Sequence, residues 1–190
     1  MTRIDNLVPL RYRDAQLDET EDPKLDAWID EIRAAEPTTN IDRPKMHGPS
    51  LLILGPTGVG KTHKAYALLR HLVDGGLRLR SWPKMISAAD LYARLRPRSG
   101  VDSEQVFEEF LAAEMVFIDD LGAAKTSEWV EEVNYRLIDH RYNNQLATIF
   151  TSNVPPRELG EVLGERVASR LTEMCTTVVL KGADRRRNAA

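Results

Sequence analysis

A chain of 190 residues, 42% hydrophobic and 29% charged, is long enough for one well-buried domain and too short for two ordinary ones. The formal net charge of −3 excludes a global pull toward nucleic acid or anionic membrane, so any basic surface must be local. Cys175 is the only cysteine, which excludes an intramolecular disulfide; no apolar run approaches the roughly 18 residues of a membrane span, and Met1-Thr2-Arg3-Ile4-Asp5 does not resemble a signal peptide. A cytoplasmic protein with no membrane partner is expected.

From Met1 to about Asp22 the chain is polar and irregular. Within it, Leu7-Val8-Pro9-Leu10-Arg11-Tyr12-Arg13 sets an aromatic ring and two guanidinium groups beside a proline-fixed extended segment. Tyr12 there either packs a purine ring or belongs to a loosely attached terminal arm. Leu25, Trp28, Ile29 and Ile32 recur at helical spacing and predict an amphipathic helix ending near Glu36-Pro37. Pro44, Gly48 and Pro49 mark a connector. Residues 1–45 are therefore expected to be an arm, helix and linker, 46–183 the main domain, and 184–190 a basic tail.

The apolar run Leu51-Leu52-Ile53-Leu54 predicts a strand, and it leads into Gly55-Pro56-Thr57-Gly58-Val59-Gly60-Lys61-Thr62-His63, which contains a complete GxxxxGK[ST] loop ahead of a helical stretch, His63 to Val73. Such a loop curls so that successive amides point at phosphate oxygens, with Lys61 serving the β- and γ-phosphates and the Thr62 hydroxyl serving Mg²⁺. The positive end of the helix that follows adds to the attraction. ATP with Mg²⁺ is the expected ligand.

The helix stops at Gly75-Gly76, and a strand lies somewhere in Leu79 to Ile86, interrupted by Pro83. Ser87-Ala88-Ala89-Asp90 matches a capping box opening a helix to about Leu95. Arg94 to Gly100 form a short basic loop whose three arginines, Arg94, Arg96 and Arg98, either meet a phosphate backbone or are simply solvated. Val101 to Ala113 returns to helix, and Met115-Val116-Phe117-Ile118 reads as a central parallel strand ending in Asp119 and Asp120. Ligands in open α/β sheets sit at that end. Asp119 is assigned to the metal and Asp120 to the attacking water.

A helix is expected from Ser127 to Tyr142, a strand over Ala147 to Thr151, short helices over Glu158 to Leu163 and Arg166 to Glu173, and a last strand over Thr176 to Leu180. Asn153, at the end of the 147–151 strand, is either a polar group beside the γ-phosphate or a turn residue ahead of Pro155-Pro156.

The ordered motifs GPTGVGKTH, MVFIDDLG, TIFTSN and LGERVASRL resemble the AAA+ ATPase core of the DnaC helicase-loader and IstB transposition-helper family, over about Pro9 to Arg186. The resemblance implies an α/β P-loop NTPase fold with a five-stranded parallel sheet sandwiched between helices. It implies that Asn153 is the first sensor, Arg170 an arginine finger with Arg166 a second basic residue of the same box, and Arg186 a second sensor by a looser match. Without it, Arg166 and Arg170 at i and i+4 read as a solvated helix face. A finger must reach the γ-phosphate of a neighbouring subunit, so an ATP-dependent homo-oligomer with shared sites is implied. Loader-type relatives also grip single-stranded DNA just after the doubled acids. The matching residues here are Ser127 and Trp129, with Arg96 and Arg98 nearby; Trp129 reads equally as core, since it shares a face with Val133. The family's N-terminal partner-binding domain is not expected here, because only about forty residues precede the core strand, and Lys64 stands where the family has an apolar residue. A DNA-replication accessory or helicase loader, working with a replicative helicase or a related partner, is the leading expectation. An IstB-like transposition helper on duplex DNA, a small P-loop kinase and a nucleotide-gated binding module with little turnover are the alternatives.

Overall fold

The structure, a computed structural model, describes residues 4, 7–17, 22–35, 47–77, 79, 81–100 and 102–185. Residues 38–46 of the expected connector, Thr38 to Ser50, and residues 186–190 of the tail, Arg186 among them, lie outside these.

Five strands form one sheet: β1 (Ser50–Leu54), β2 (Lys84–Ser87), β3 (Val116–Asp119), β4 (Thr148–Ser152) and β5 (Cys175–Val179). Every pairing is parallel and the spatial order is β2-β3-β4-β1-β5. β2 begins only after Pro83, which has no N–H to give a ladder. Around the sheet lie α1 (Pro23–Ala34), α2 (Lys61–Asp74), α3 (Ala88–Leu95), α4 (Ser103–Ala112), α5 (Glu128–Asn143), α6 (Leu159–Leu163) and α7 (Glu165–Met174). Among the described residues no helix is long and apolar enough to cross a membrane.

Alternation along the strands divides the core into two layers. Leu51, Ile53, Phe117, Ile149 and Val178 face α1 and α2, while Leu52, Leu54, Ile118 and Phe150 face α3 to α7. A sheet covered on both faces needs near-continuous apolar strands, and β1 is buried at all five positions. The helix starts follow side-chain chemistry. Ser87 accepts from the Asp90 amide at 3.0 Å and donates to its carboxylate at 2.7 Å, while Asp102 and Ser127 cap α4 and α5. α1 buries Leu25, Trp28, Ile29 and Ile32, and the Trp28 indole donates to the Pro49 carbonyl at 3.0 Å just ahead of β1.

Arg141 is fully buried on α5. Its guanidinium donates to the Phe110 and Ala113 carbonyls at the end of α4, to the Ala147 carbonyl and to the Thr148 hydroxyl, at 2.6–2.9 Å. Burial pushes its pKa down to about 9, which leaves it charged at neutral pH. The charge closes a helix that carries no basic residue in its own last turn, and it fixes α4 and α5 to the start of β4. Arg141→Met leaves several buried carbonyls without donors and should cost about 3 kcal/mol of stability, read as a lowered urea midpoint. An unchanged midpoint contradicts this role.

Candidate active site

The strand order places the carboxyl ends of β1, β4 and β3 side by side, with β4 in the middle. Each end carries one part of the site: the Gly55–Thr62 loop after β1, Asp119 and Asp120 at β3, and Asn153 after β4. The sequence motifs, far apart in the chain, therefore meet on one rim.

The loop enters α2 through Gly60 at φ 98°, a left-handed conformation that glycine adopts without penalty. Lys64 donates the first intrahelical bond, to Gly60, so the amides of Lys61, Thr62 and His63 lie ahead of the helical ladder, where an anion is favoured. Gly58, at φ 81°, is also closely covered: a Cβ there would lie 1.8 Å from the Asp184 carboxylate. Val59 is 3% exposed, so it offers a ligand its backbone and not its side chain. Pro56, Thr57 and His63 are exposed around the loop.

Lys61 is only 4% exposed, and its ammonium donates to the Gly55 carbonyl at 2.8 Å, to the Pro56 carbonyl at 3.0 Å and to the Asn153 side-chain oxygen. The Thr62 hydroxyl donates to the Asp119 carboxylate at 2.9 Å. On the other side of that carboxylate, Thr151 donates at 2.5 Å, and the Thr151 hydroxyl in turn accepts from the Asp120 amide at 2.9 Å. Asp120 takes φ 55°, unusual for a side chain other than glycine and tolerated best by Asp and Asn. The Asn153 amide donates to its carboxylate at 3.3 Å. These residues border an open cleft of about 570 Å³, which Thr57, Gly58, Lys61, Thr62, Asp120 and Asn153 line on one side.

Burial pushes the Asp119 carboxyl above its usual range and the Asp120 charge adds to this, while bonds from Thr151 and Thr62 and the Lys61 ammonium act in the opposite sense. A carboxylate held in a place that disfavours its charge suits a cation. Thr62 and Asp119 together fit Mg²⁺, which takes one or two protein oxygens and fills its remaining sites with water and phosphate. Among the described residues no cluster of three or more His, Cys, Asp or Glu forms a metal cage.

Two arginines that motif spacing did not assign also line the cleft: Arg11 from the N-terminal segment and Arg185 from the C-terminal one. The Arg185 amide donates to the Gly58 carbonyl at 3.0 Å. Tyr12 borders the cleft too, with one ring face stacked on Tyr66 at 4.8 Å, which leaves the other face for a ligand.

Four expected residues lie away from the cleft. The guanidinium of Arg96 sits 5.6 Å above the Trp129 ring, and the Tyr92 ring meets Trp129 edge-on at 6.2 Å. Trp129 is half-buried against the core, so a base stacking there must displace Arg96. Ser127 caps α5, accepting from the Val130 amide at 3.3 Å, and Arg98 is exposed. The Arg170 guanidinium pairs with Asp139 of its own subunit at 2.6 Å.

A family model described as IstB-like ATP binding protein matches residues 47–189. The chain belongs to this family. It is 28% identical over 172 residues to an insertion sequence IS21 putative ATP-binding protein of Pseudomonas aeruginosa, covering 88% of this chain and 61% of the relative. It is 30% identical over 156 residues to the replicative helicase loader DnaI of Bacillus subtilis (strain 168), covering 73% and 48%. The chain thus spans about half to three-fifths of the length of these relatives. A crystal structure of the DnaC helicase loader superposes with a TM-score of 0.71 at 29% identity, covering 91% of this chain and 100% of that one. A DnaI crystal structure at 20% identity and TM-score 0.72 supports the fold alone. The fold is that of an AAA+ P-loop ATP-binding domain.

Asp119 gives a test with a defined sign. Its raised pKa means that the folded state holds the proton more tightly than the unfolded chain, so stability is fully present below the unfolded value and declines as pH rises above it. Asp119→Asn keeps the acceptor for Thr62 and Thr151 without the charge. In the absence of metal and nucleotide it should melt higher than the parent at pH 7, with the gap closing as pH falls toward 4. A lower melting temperature at pH 7 contradicts this.

Proposed function

We propose that the protein is an ATPase that hydrolyses ATP to ADP and phosphate in a homo-oligomer with shared active sites. The supporting observation is the bonded row running from Thr62 through Asp119 and Thr151 to Asp120, with Asn153 bound to both Asp120 and Lys61. In this reading the amides at the start of α2 bind the phosphates, and the Lys61 ammonium leaves its carbonyl partners for the β- and γ-oxygens. Thr62 and Asp119 would hold Mg²⁺, which would supply charge neutralisation at the phosphates. Asp120, held by Asn153 and by its own amide, orients the attacking water and accepts its proton. In this reading Asn153 registers whether the γ-phosphate is present. Tyr12, Arg11 and Arg185 close the cleft from the two chain ends, and Arg186 is proposed to assist as a second sensor. A guanidinium from α7 of a neighbour completes the site.

The cellular role we propose is a replication accessory of the helicase-loader kind, cytoplasmic, working with a replicative helicase and single-stranded DNA. Arg96, which lies over Trp129, and the exposed Arg98 offer the basic surface for the strand, with Ser127 and Trp129 as its further contacts. A transposition helper on duplex DNA is the second reading, favoured by the greater share of this chain that the IS21 relative covers, 88% against 64% for DnaC of Escherichia coli (strain K12).

Turnover assays with and without single-stranded DNA test the proposal. The strand should raise the rate, and Asn153→Ala should lower it about 10²-fold with ATP binding nearly unchanged. No turnover in any assembled state reduces the protein to a nucleotide binder, and stimulation by duplex DNA alone favours the transposition reading.

A further inference from the structure

Between Leu180 and Arg185 the chain follows the phosphate loop glycine by glycine. The Leu180 amide donates to the Leu54 carbonyl at 2.7 Å, which carries the β1–β5 pairing one step past β5. The Leu180 carbonyl then packs on Gly55, where a Cβ would come within 2.5 Å of it. The Arg185 amide donates to the Gly58 carbonyl at 3.0 Å, and the carboxylate of the half-buried Asp184 lies against the same glycine, in the space a Cβ would fill. The Arg185 guanidinium passes over Gly60, 3.8 Å from a Cβ built there. Three glycines of the loop, each at positive φ, are thus covered by one strap, and a side chain at Gly55 or Gly58 would unseat it.

The strap brings a negative charge to a loop suited to negative charge. The amides at the start of α2 and the Lys61 ammonium favour an anion at this place, and on the reading proposed above that anion is a triphosphate. A carboxylate and a phosphate a few ångströms apart repel, and near a protein surface the repulsion weakens binding by about tenfold or more. Arg185, the next residue, has the opposite charge and lines the cleft. Its side chain is long enough to stay in the cleft when the backbone beneath it lifts, whereas the short Asp184 side chain moves with the backbone.

We propose that Asp184 is an anionic brake on the phosphate loop, whose carboxylate competes with ATP and is driven off Gly58, together with residues 182–185, when ATP binds. The proposal rests on the triphosphate reading of the site and adds its regulation. The charge at Asp184 sets how tightly the loop takes ATP, and the release of the strap passes the state of the loop to the C-terminal end of the chain.

The test measures ATP binding, with Mg²⁺, by the full chain and by Asp184→Asn, which keeps the shape of the side chain and removes its charge. Asp184→Asn should bind ATP about tenfold more tightly at low salt, with the gap narrowing as salt is raised and the melting temperature unchanged. Hydrogen exchange follows the strap in the parent itself. On addition of ATP the amides of residues 182–185 should exchange faster, the reverse of what a ligand does by covering a segment. In Asp184→Asn, ATP should leave that exchange unaccelerated. Equal or weaker ATP binding by Asp184→Asn, or slower or unchanged exchange in the ATP-bound parent, overturns the brake and leaves the triphosphate reading in place. A parent protein that binds no ATP overturns the triphosphate reading first and the brake with it.

Discussion

The site depends on one buried ammonium. Lys61 is almost fully enclosed, and its ammonium donates to two carbonyls of its own loop and to the Asn153 side chain. Burying an unpaired ammonium is costly, so these contacts hold the loop in a curl that fits a polyphosphate before any arrives. The bond to Asn153 also ties β1's loop to the end of β4, and Asn153 passes the tie on to Asp120 at β3. Three strand ends are thereby kept in register by polar contacts that a nucleotide is expected to take over.

Beneath that rim, the sheet makes the register rigid. β4 lies between β1 and β3, and Thr151 on it contacts both acids, one through its hydroxyl as donor and the other as acceptor. The left-handed backbone at Asp120 follows from this, because the chain must turn sharply to give its amide to Thr151 while its carboxylate reaches Asn153. Below, Arg141 does the comparable work at the other end of the sheet, where a single charged group serves the end of α4 and the start of β4.

Much of this was legible in the sequence, for a physical reason: a phosphate loop, a strand ending in acids and a strand ending in Asn are local patterns, and each forms where its own residues dictate. Among the described residues the five strands and seven α-helices fall close to their expected positions, with β2 starting after Pro83 and α4 starting at the Asp102 cap. What escaped depends on which element faces which. Thr151 gained its role only because β4 sits between β1 and β3. Arg141, four residues beyond Leu137, continued the buried face of α5, yet its charge argued for solvent. The ion pair between Arg170 and Asp139 likewise depends on α7 lying across α5, which the spacing of neither residue announces. Arg11 and Arg185 come from opposite ends of the chain, where spacing carries no signal.

The central claim is that Lys61, Thr62, Asp119, Asp120 and Asn153 form one preassembled triphosphate site whose internal bonds are exchanged for bonds to nucleotide and metal. A crystal structure with Mg²⁺ and a non-hydrolysable ATP analogue measures this directly. The account predicts Lys61 moved from the Gly55 and Pro56 carbonyls to the β- and γ-phosphate oxygens, Mg²⁺ on the Thr62 hydroxyl with Asp119 behind it, and the γ-phosphate beside Asn153. A nucleotide bound elsewhere, or one seated in the loop with Lys61 still on its own carbonyls, would contradict it.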